Sequence, residues 1–248
     1  MVRKKPVAKK QIEIMSIMEC EMELTVVGTS MLCCHNFAQK AKDIMLGDQE
    51  KKVVKGGRAA RDPEADWNGA FYRDSKGHPA IPAHNLKSAL VFAAHNDKGL
   101  AKTNVRAGIL FVTGKEERDW LIINGKVRPF DKSASDVVRV GQGKTADLRW
   151  RPKWDNWSLD VKVKYDPSKI SDAQLLSLFF EAGRVSGLGE GRPQLSSQGW
   201  GTFAPDLSSV RISEPKSALQ DIMDSVERGK GKLKVVEMSE RRKQKKSA

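Results

Sequence analysis

Cysteine is scarce in this chain: three in 248 residues, with no pairing pattern among them. Cys20, Cys33 and Cys34 make an odd count with two adjacent, which argues against a disulfide framework and predicts a reducing, intracellular setting. No apolar run approaches the ~20 residues of a membrane span. The lysine-rich opening "MVRKKPVAKK" lacks the apolar core and small-residue cleavage site of a secretory signal. A cytoplasmic protein with no membrane partner is therefore expected. Metal-ligand spacing is missing too. Cys33, Cys34 and His35 stand too close together for three ordinary zinc ligands, and there is no CxxC or HxxxH, so no metal is expected.

Phosphate-loop motifs are absent even where glycine is dense. The stretch "AGRVSGLGEGRPQLSSQGWGTF", Ala182 to Phe203, carries Arg192 where a dinucleotide fingerprint needs its third glycine, and it follows a helical pattern instead of a strand. It also lacks the Lys-Ser or Lys-Thr pair of a Walker loop. Neither nucleotide hydrolysis nor a cofactor is expected.

What the chain has in excess is positive charge. Lys and Arg number 44 against 31 acids, a formal charge of +13 and a pI near 9.7, which favours a polyanionic partner and nucleic acid by default. Much of that charge is terminal. Residues 1–10 and 239–248 carry five basic residues each, leaving the body near +4 once Glu240 is counted. Residues 1–10 read as a disordered lead and 231–248 as a basic tail.

Between these ends, alternation at Met18, Cys20, Met22, Leu24 and Val26 predicts one long first strand running into Cys33–Cys34. About residues 35–77 mix charge, glycine and proline as a large loop-like insertion. Pro82 ahead of Leu86, Leu90, Val91 and Ala94 predicts a helix. "AGILFVTG" and "DWLIING" read as strands, and "DLRWRPKW" and "WSLDVKVKY" as the arms of a hairpin. "SDAQLLSLFFEAGRVS" is a capped helix, "WGTFAP" and "SSVRISEP" are short strands, and a last helix falls within 213–230. The reduced order β-α-β-β-α-β predicts an α+β, ferredoxin-like antiparallel sheet over residues 11–212, with both helices on one face and the other face free to bind.

Two segments are candidates for that binding. In the glycine-rich run, Gly187, Gly189 and Gly191 lack a Cβ and so admit a polyanion close to their amides. Arg184 and Arg192 can pair with phosphate, and Trp200 can stack on a base. The alternative is a plain helix-to-strand connection with Trp200 in the core. In "GRAARDPEADWNGAFYRDSKGHPAIP", Arg58, Arg61, Arg73 and Lys76 interleave with Trp67, Phe71 and Tyr72, cations for phosphates and flat faces for bases. The alternative here is that the aromatics staple the insertion to the body. His78 and His84 could serve as general base in metal-free RNA cleavage, although exposed helix-cap histidines are far commoner. Asp62, Glu64 and Asp66 could hold Mg²⁺, although alternating acids on a loop are usually only solvated.

Taken together, the opening strand into "GTSMLCCHNF", the segment "GHPAIPAHNLKSAL" and the segment "GRVSGLGEGRPQLSSQGWGTF" resemble the RAMP superfamily, ferredoxin-like RNA-binding proteins of CRISPR systems. The likeness runs from about Glu13 to Phe203 and is to the repeated backbone subunit and its phage or mobile-element relatives. It implies a non-enzymatic protein that coats single-stranded RNA, with single-stranded DNA as the other choice. It also implies head-to-tail contact with copies of itself and contact with other effector subunits. The insertion would act as a thumb, and His84, Lys87 and the glycine-rich loop would lie along the nucleic-acid backbone. The readings that compete with it are a metal-free endoribonuclease and a phage DNA-annealing protein.

Overall fold

The computed structural model describes residues 13–15, 18–36, 61–94, 100–112, 120–140, 145–217 and 234–236. Its architecture is α+β, built on an antiparallel sheet. The central strand is β2 (Met18–Gly28), after a short β1 (Glu13–Met15). Cys20, Met22, Leu24 and Val26 are buried while Glu19, Glu21 and Glu23 face away, the two-residue period of a half-buried strand. β3 (Leu32–Cys33) follows. The next elements are helix α1 (Pro63–Gly69), β4 (Ala80–Pro82), α2 (Ala83–Ala93), α3 (Lys102–Gly108) and β5 (Ile109–Phe111). Then come β6 (Trp120–Ile122), β7 (Asp136–Val140), β8 (Thr145–Arg149), β9 (Lys153–Trp154) and β10 (Ser158–Tyr165). Helix α4 (Asp172–Glu181), β11 (Phe203–Ile212), β12 (Lys216–Ser217) and β13 (Lys234–Val236) complete the order.

The main sheet runs β11-β2-β10-β5, with β12 added to β2. β10 lies antiparallel to β2 in unbroken register from Ser158↔Val27 to Tyr165↔Cys20. This matches Leu159, Val161, Val163 and Tyr165 to the buried face of β2. Helix α2 covers that face with Leu86, Leu90 and Ala93, and α4 with Leu175, Leu178 and Phe179, all within one core. Fully burying each large apolar side chain contributes roughly 1.5–3 kcal/mol, so the two helix stripes and the sheet face hold one another. The start of α4 is set by a capping box, in which Gln174 N–H donates to Ser171 and Ser171 N–H to the Gln174 side chain. The Tyr165 hydroxyl donates to Asp172 over 2.5 Å, tying β10 to that first turn.

Several elements differ from the sequence reading. The single long first strand is three. β1 pairs in parallel with β13, β2 stands in the main sheet, and the chain turns at Thr29–Ser30 so that β3 pairs with β9. The expected hairpin across Asp155–Asn156 does not form. β9 goes to β3, β10 goes to β2 and β5, and the hairpin is β7 with β8. Pro152, with no N–H to give a ladder, separates β8 from β9. The two expected short strands after Gly201 are one strand, β11, with an irregularity between Asp206 and Arg211. Helix α3 has no counterpart in the sequence reading, where the strand expected over "AGILFVTG" begins at Ala107; Val105 and Gly108 are the helix's only buried residues. Of the expected insertion over about 35–77, residues 37–60 lie outside the described residues, and 61–77 contain α1 instead of continuous loop. Of the expected C-terminal helix over 213–230, Lys216–Ser217 form a strand and 218–230 lie outside the described residues. The lead 1–10 lies outside them as well, as does the tail 231–248 apart from β13.

Candidate nucleic-acid interface

Helix α4 passes into a π-helical turn, Ala182–Ser186, and ends at Gly187, whose φ of 66° lies in the left-handed region. The loop beyond is tied down by its backbone. Glu190 N–H donates to Cys33 O over 2.8 Å, Gly201 N–H to Met31 O over 2.7 Å, and Trp200 N–H to Gly191 O over 3.0 Å. A Cβ on Gly189 would lie 2.3 Å from Cys33 O, one on Gly187 2.8 Å from Pro193 Cδ, and one on Gly191 2.5 Å from the Trp200 ring. The room left by these missing side chains is thus filled by the protein itself. This replaces the expectation that it is kept open for a polyanion.

Beside the loop is a cleft of about 270 Å³, shared with the first turns of α2. Ile81, Ala89 and Leu188 supply apolar wall, and Asn85, Ser88 and Gln194 supply neutral polar groups. The N-terminus of α2 has no side-chain cap on its amides and no acid in its first turn, so its free N–H groups and dipole favour a negative group there. His84 is exposed on that turn and Lys87 is half-buried one turn on. Arg192 lines the cleft, donates to Gly189 O over 2.7 Å and touches Gln194 Oε1 at 3.5 Å, with no carboxylate partner among the described residues. Arg184 is elsewhere: it pairs with Glu181 at 3.0 Å beside a different depression next to Phe180 and Phe203.

The basic-aromatic segment is mostly used internally. Arg58 lies outside the described residues. Arg61 pairs with Asp147 at 2.8 Å and Asp66 at 3.3 Å and also donates to Leu148 O. Trp67 meets Phe71 edge-on at 4.8 Å and Phe130 at 5.9 Å. Arg73 lies over the Phe71 ring at 4.4 Å and donates to Gly77 O over 3.0 Å. Lys76 is exposed, its side chain without a partner among the described residues. Asp62, considered above as a cation ligand, instead caps α1 by accepting from the N–H groups of Glu64 and Ala65. Among the described residues no cluster of His, Cys, Asp and Glu is arranged to hold a metal. His78 Nδ1 lies 3.0 Å from Asp74 Oδ2 on an exposed turn. Burial works to raise the Asp74 carboxyl, and its hydrogen bonds from His78 outweigh this and hold it below its ordinary range.

A buried charge cluster braces the loop from behind. Arg151, its side chain only 4% exposed, pairs with Asp136 at 3.0 Å and Glu190 at 3.6 Å, and Lys153 reaches Asp136 at 2.6 Å. Trp200 is half-buried, its ring centre 6.0 Å from the Arg151 guanidinium and 5.5 Å from Lys153 Nζ. Burial pushes the Cys33 thiol up to about 11 and Cys34 higher still, which makes both poor nucleophiles. Burial, with Arg149 nearby, pushes His35 below its ordinary value, and its Nδ1 is buried without a hydrogen-bond partner.

The sheet face away from the helices was expected to be free to bind. It is open, but its lysines are committed to neighbouring carboxylates and acid is in excess. Lys162 reaches Glu21 at 2.8 Å and Glu23 at 2.9 Å, Lys164 reaches Glu19 at 3.5 Å, and Asp160 accepts from Thr25 and Asn124. Hydrogen bonds that the Lys162 ammonium donates to Glu21 and Glu23 push its pKa upward. A polyanion would have to break these pairs and meet carboxylates. The polar residues that line the cleft and that the sequence reading missed include His35, Asn85, Ser88, Ser186, Glu190 and Gln194. Their one sequence signal is the i, i+3 spacing of Asn85 and Ser88, which puts both on one helix face.

No family model matches the chain, and no curated protein matches it. Among solved structures, it is similar to the Csm3-Csm4 subcomplex in the type III-A CRISPR-Cas interference complex. The identity is 12% over 88% of this chain and 99% of the other, with a TM-score of 0.35. Those figures are too low to assign a fold or a function. No helix among the described residues is long and apolar enough to cross a membrane.

Proposed function

We propose that the chain binds single-stranded nucleic acid, RNA in preference to DNA, without catalysing a reaction on it, and that the strand runs along the cleft between α2 and the glycine-rich loop. The observation that carries this reading is the pairing of the uncapped, acid-free N-terminus of α2 with Arg192, a cation with no carboxylate partner among the described residues, on one cleft. Lys87 and His84 on the same helix add to it, and the +13 charge of the whole chain supplies the long-range attraction. The strand order β11-β2-β10-β5 is, by position in the chain, fourth-first-third-second, which supports a ferredoxin-like plan of the RAMP kind. On that plan the chain is one copy of a repeated backbone subunit, touching its neighbours head to tail and other effector subunits at the ends, in the cytoplasm.

The test is binding of a short labelled single strand, RNA or DNA, across a range of salt. If about three phosphates are neutralised, log K falls against log salt with a slope of about −2. Arg192→Ala should weaken binding roughly tenfold, and Lys162→Ala, on the self-paired sheet face, should leave it unchanged. Failure to bind even at low salt overturns the reading.

A further inference from the structure

The lining of the cleft is chemically unlike a phosphate cage. Among the described residues Arg192 is its only cation and Glu190 its only anion, and the other polar groups are neutral. Several of those groups are also unspent. The Asn85 amide and the Ser88 hydroxyl have no partner among the described residues. Gln194 accepts from Ser186 Oγ over 3.1 Å through Oε1, which leaves its NH₂ free to donate. His35, which also lines the cleft, has a buried Nδ1 with no partner, and such atoms are uncommon in folded proteins. Ile81, Leu188 and Tyr72 also line the cleft. Apolar walls with a few convergent polar groups are the general form of a small-ligand site. The volume of about 270 Å³ falls just under the roughly 300–1,000 Å³ of drug-sized sites, a size suited to one ring system.

We propose that this cleft takes a single unstacked nucleobase and reads its hydrogen-bonding edge through Asn85 and Gln194, so that each subunit imposes a base preference at one position of the strand. This rests on the nucleic-acid reading above and sharpens it, since contacts to phosphate and backbone amides alone would tolerate any sequence. The Asn85 amide presents a donor and an acceptor side by side, the arrangement that pairs bidentately with a base edge, and Gln194 adds its NH₂ as a further donor. A base splayed out of a single strand offers both its edge and its faces. Burial keeps the His35 ring in its neutral form, so it presents one N–H and one lone pair and no charge that would favour phosphate.

The experiment compares four homopolymeric RNA strands of equal length against the wild-type chain and the variant Asn85→Ala with Gln194→Ala, each first checked by thermal melting to be folded. The expected result is one homopolymer bound about tenfold more tightly than the weakest, consistent with one edge-reading contact. In the double variant that preference collapses to within about twofold while the salt slope is unchanged. Free mononucleotides form a second arm. Competition by the matching one shows that the base suffices as ligand, and preference without competition shows that the base is read only within a strand. Equal affinity for all four homopolymers, or a preference that survives the double variant, overturns the proposal and leaves the nucleic-acid reading standing. Absence of any binding overturns both.

Discussion

Replacing Arg151 by methionine removes a buried cation at nearly constant volume, and the loss can be worked from its partners. Breaking a buried ion pair by deleting one member typically costs about 3–5 kcal/mol, because a buried charge is stranded. Here the stranding is partial. Asp136 keeps Lys153 at 2.6 Å, and the Glu190 side chain is 42% exposed, so water can replace its 3.6 Å contact. The expected loss for Arg151→Met is therefore at or below the low end, about 2–3 kcal/mol. Arg151→Ala also deletes the stem beside Trp200 and should lose roughly 1 kcal/mol more. For a chain of this size each kcal/mol moves the Tm by about 2–4 °C, so Arg151→Met should melt roughly 4–12 °C lower by circular dichroism. Its tryptophan emission should shift to the red as Trp200 loses cover. A double-mutant cycle with Asp136→Asn separates the ion pair from packing, with an expected coupling above about 1 kcal/mol. A melting temperature within about 2 °C of wild type, or a coupling near zero, would refute the claim that this cluster braces the loop.

Two further outcomes follow from the same geometry. Gly201→Ala places a Cβ 1.8 Å from Leu188 O at a φ of +66°, and urea denaturation should show a loss of about 3 kcal/mol or more, against roughly 1 kcal/mol for Gly77→Ala, where φ is +86° and the space is open. Equal losses would contradict the packing described for the loop. His35, held by burial below its ordinary value of 6.5, binds a proton more readily unfolded than folded. It therefore contributes stability that is fully present above pH 6.5 and is lost as the pH falls through that value toward the folded pKa. His35→Gln should flatten the stability profile just below that point, and an unchanged profile would rule the contribution out.

The parts of the fold that could be read from sequence are those whose pattern has a single physical meaning. β2 and β10 alternate because one face meets the helices and the other meets water, so Met22, Leu24, Val161 and Val163 declare themselves. Helix α4 declares its start through Ser171 and Gln174. Pairing is less legible, because alternation names a face and never a partner. "DLRWRPKW" and "WSLDVKVKY" carry the right pattern for a hairpin, yet β9 finds β3 and β10 finds β2, a choice made by the burial of Trp154 and Trp157 in the core. Helix α1 was legible and missed: Asp62 followed by Pro63 and Glu64 is an N-cap with proline in the first turn.

The candidate site divides along the same line. Charge and glycine draw attention because they are conspicuous, but both are heavily used for internal work in this chain. Arg61 and Arg73 hold the α1 segment, Arg184 pairs with Glu181, and the glycines near Gly189 make room for Cys33 and Trp200. A cation counts toward binding only after its carboxylates have been subtracted, and that subtraction needs coordinates. Among the candidate cations it leaves Arg192, Lys87, Lys76 and Arg73 without acidic partners among the described residues, two of them on α2 or the loop that shares its cleft. The same subtraction brings out neutral side chains that composition hides, since an unspent Asn85 or Gln194 amide looks like any surface polar residue in sequence. On the function proposed above, affinity for a strand and preference within it would rest on different residues of one cleft. Arg192→Ala should weaken all strands alike, while Asn85→Ala with Gln194→Ala should change which strand is preferred.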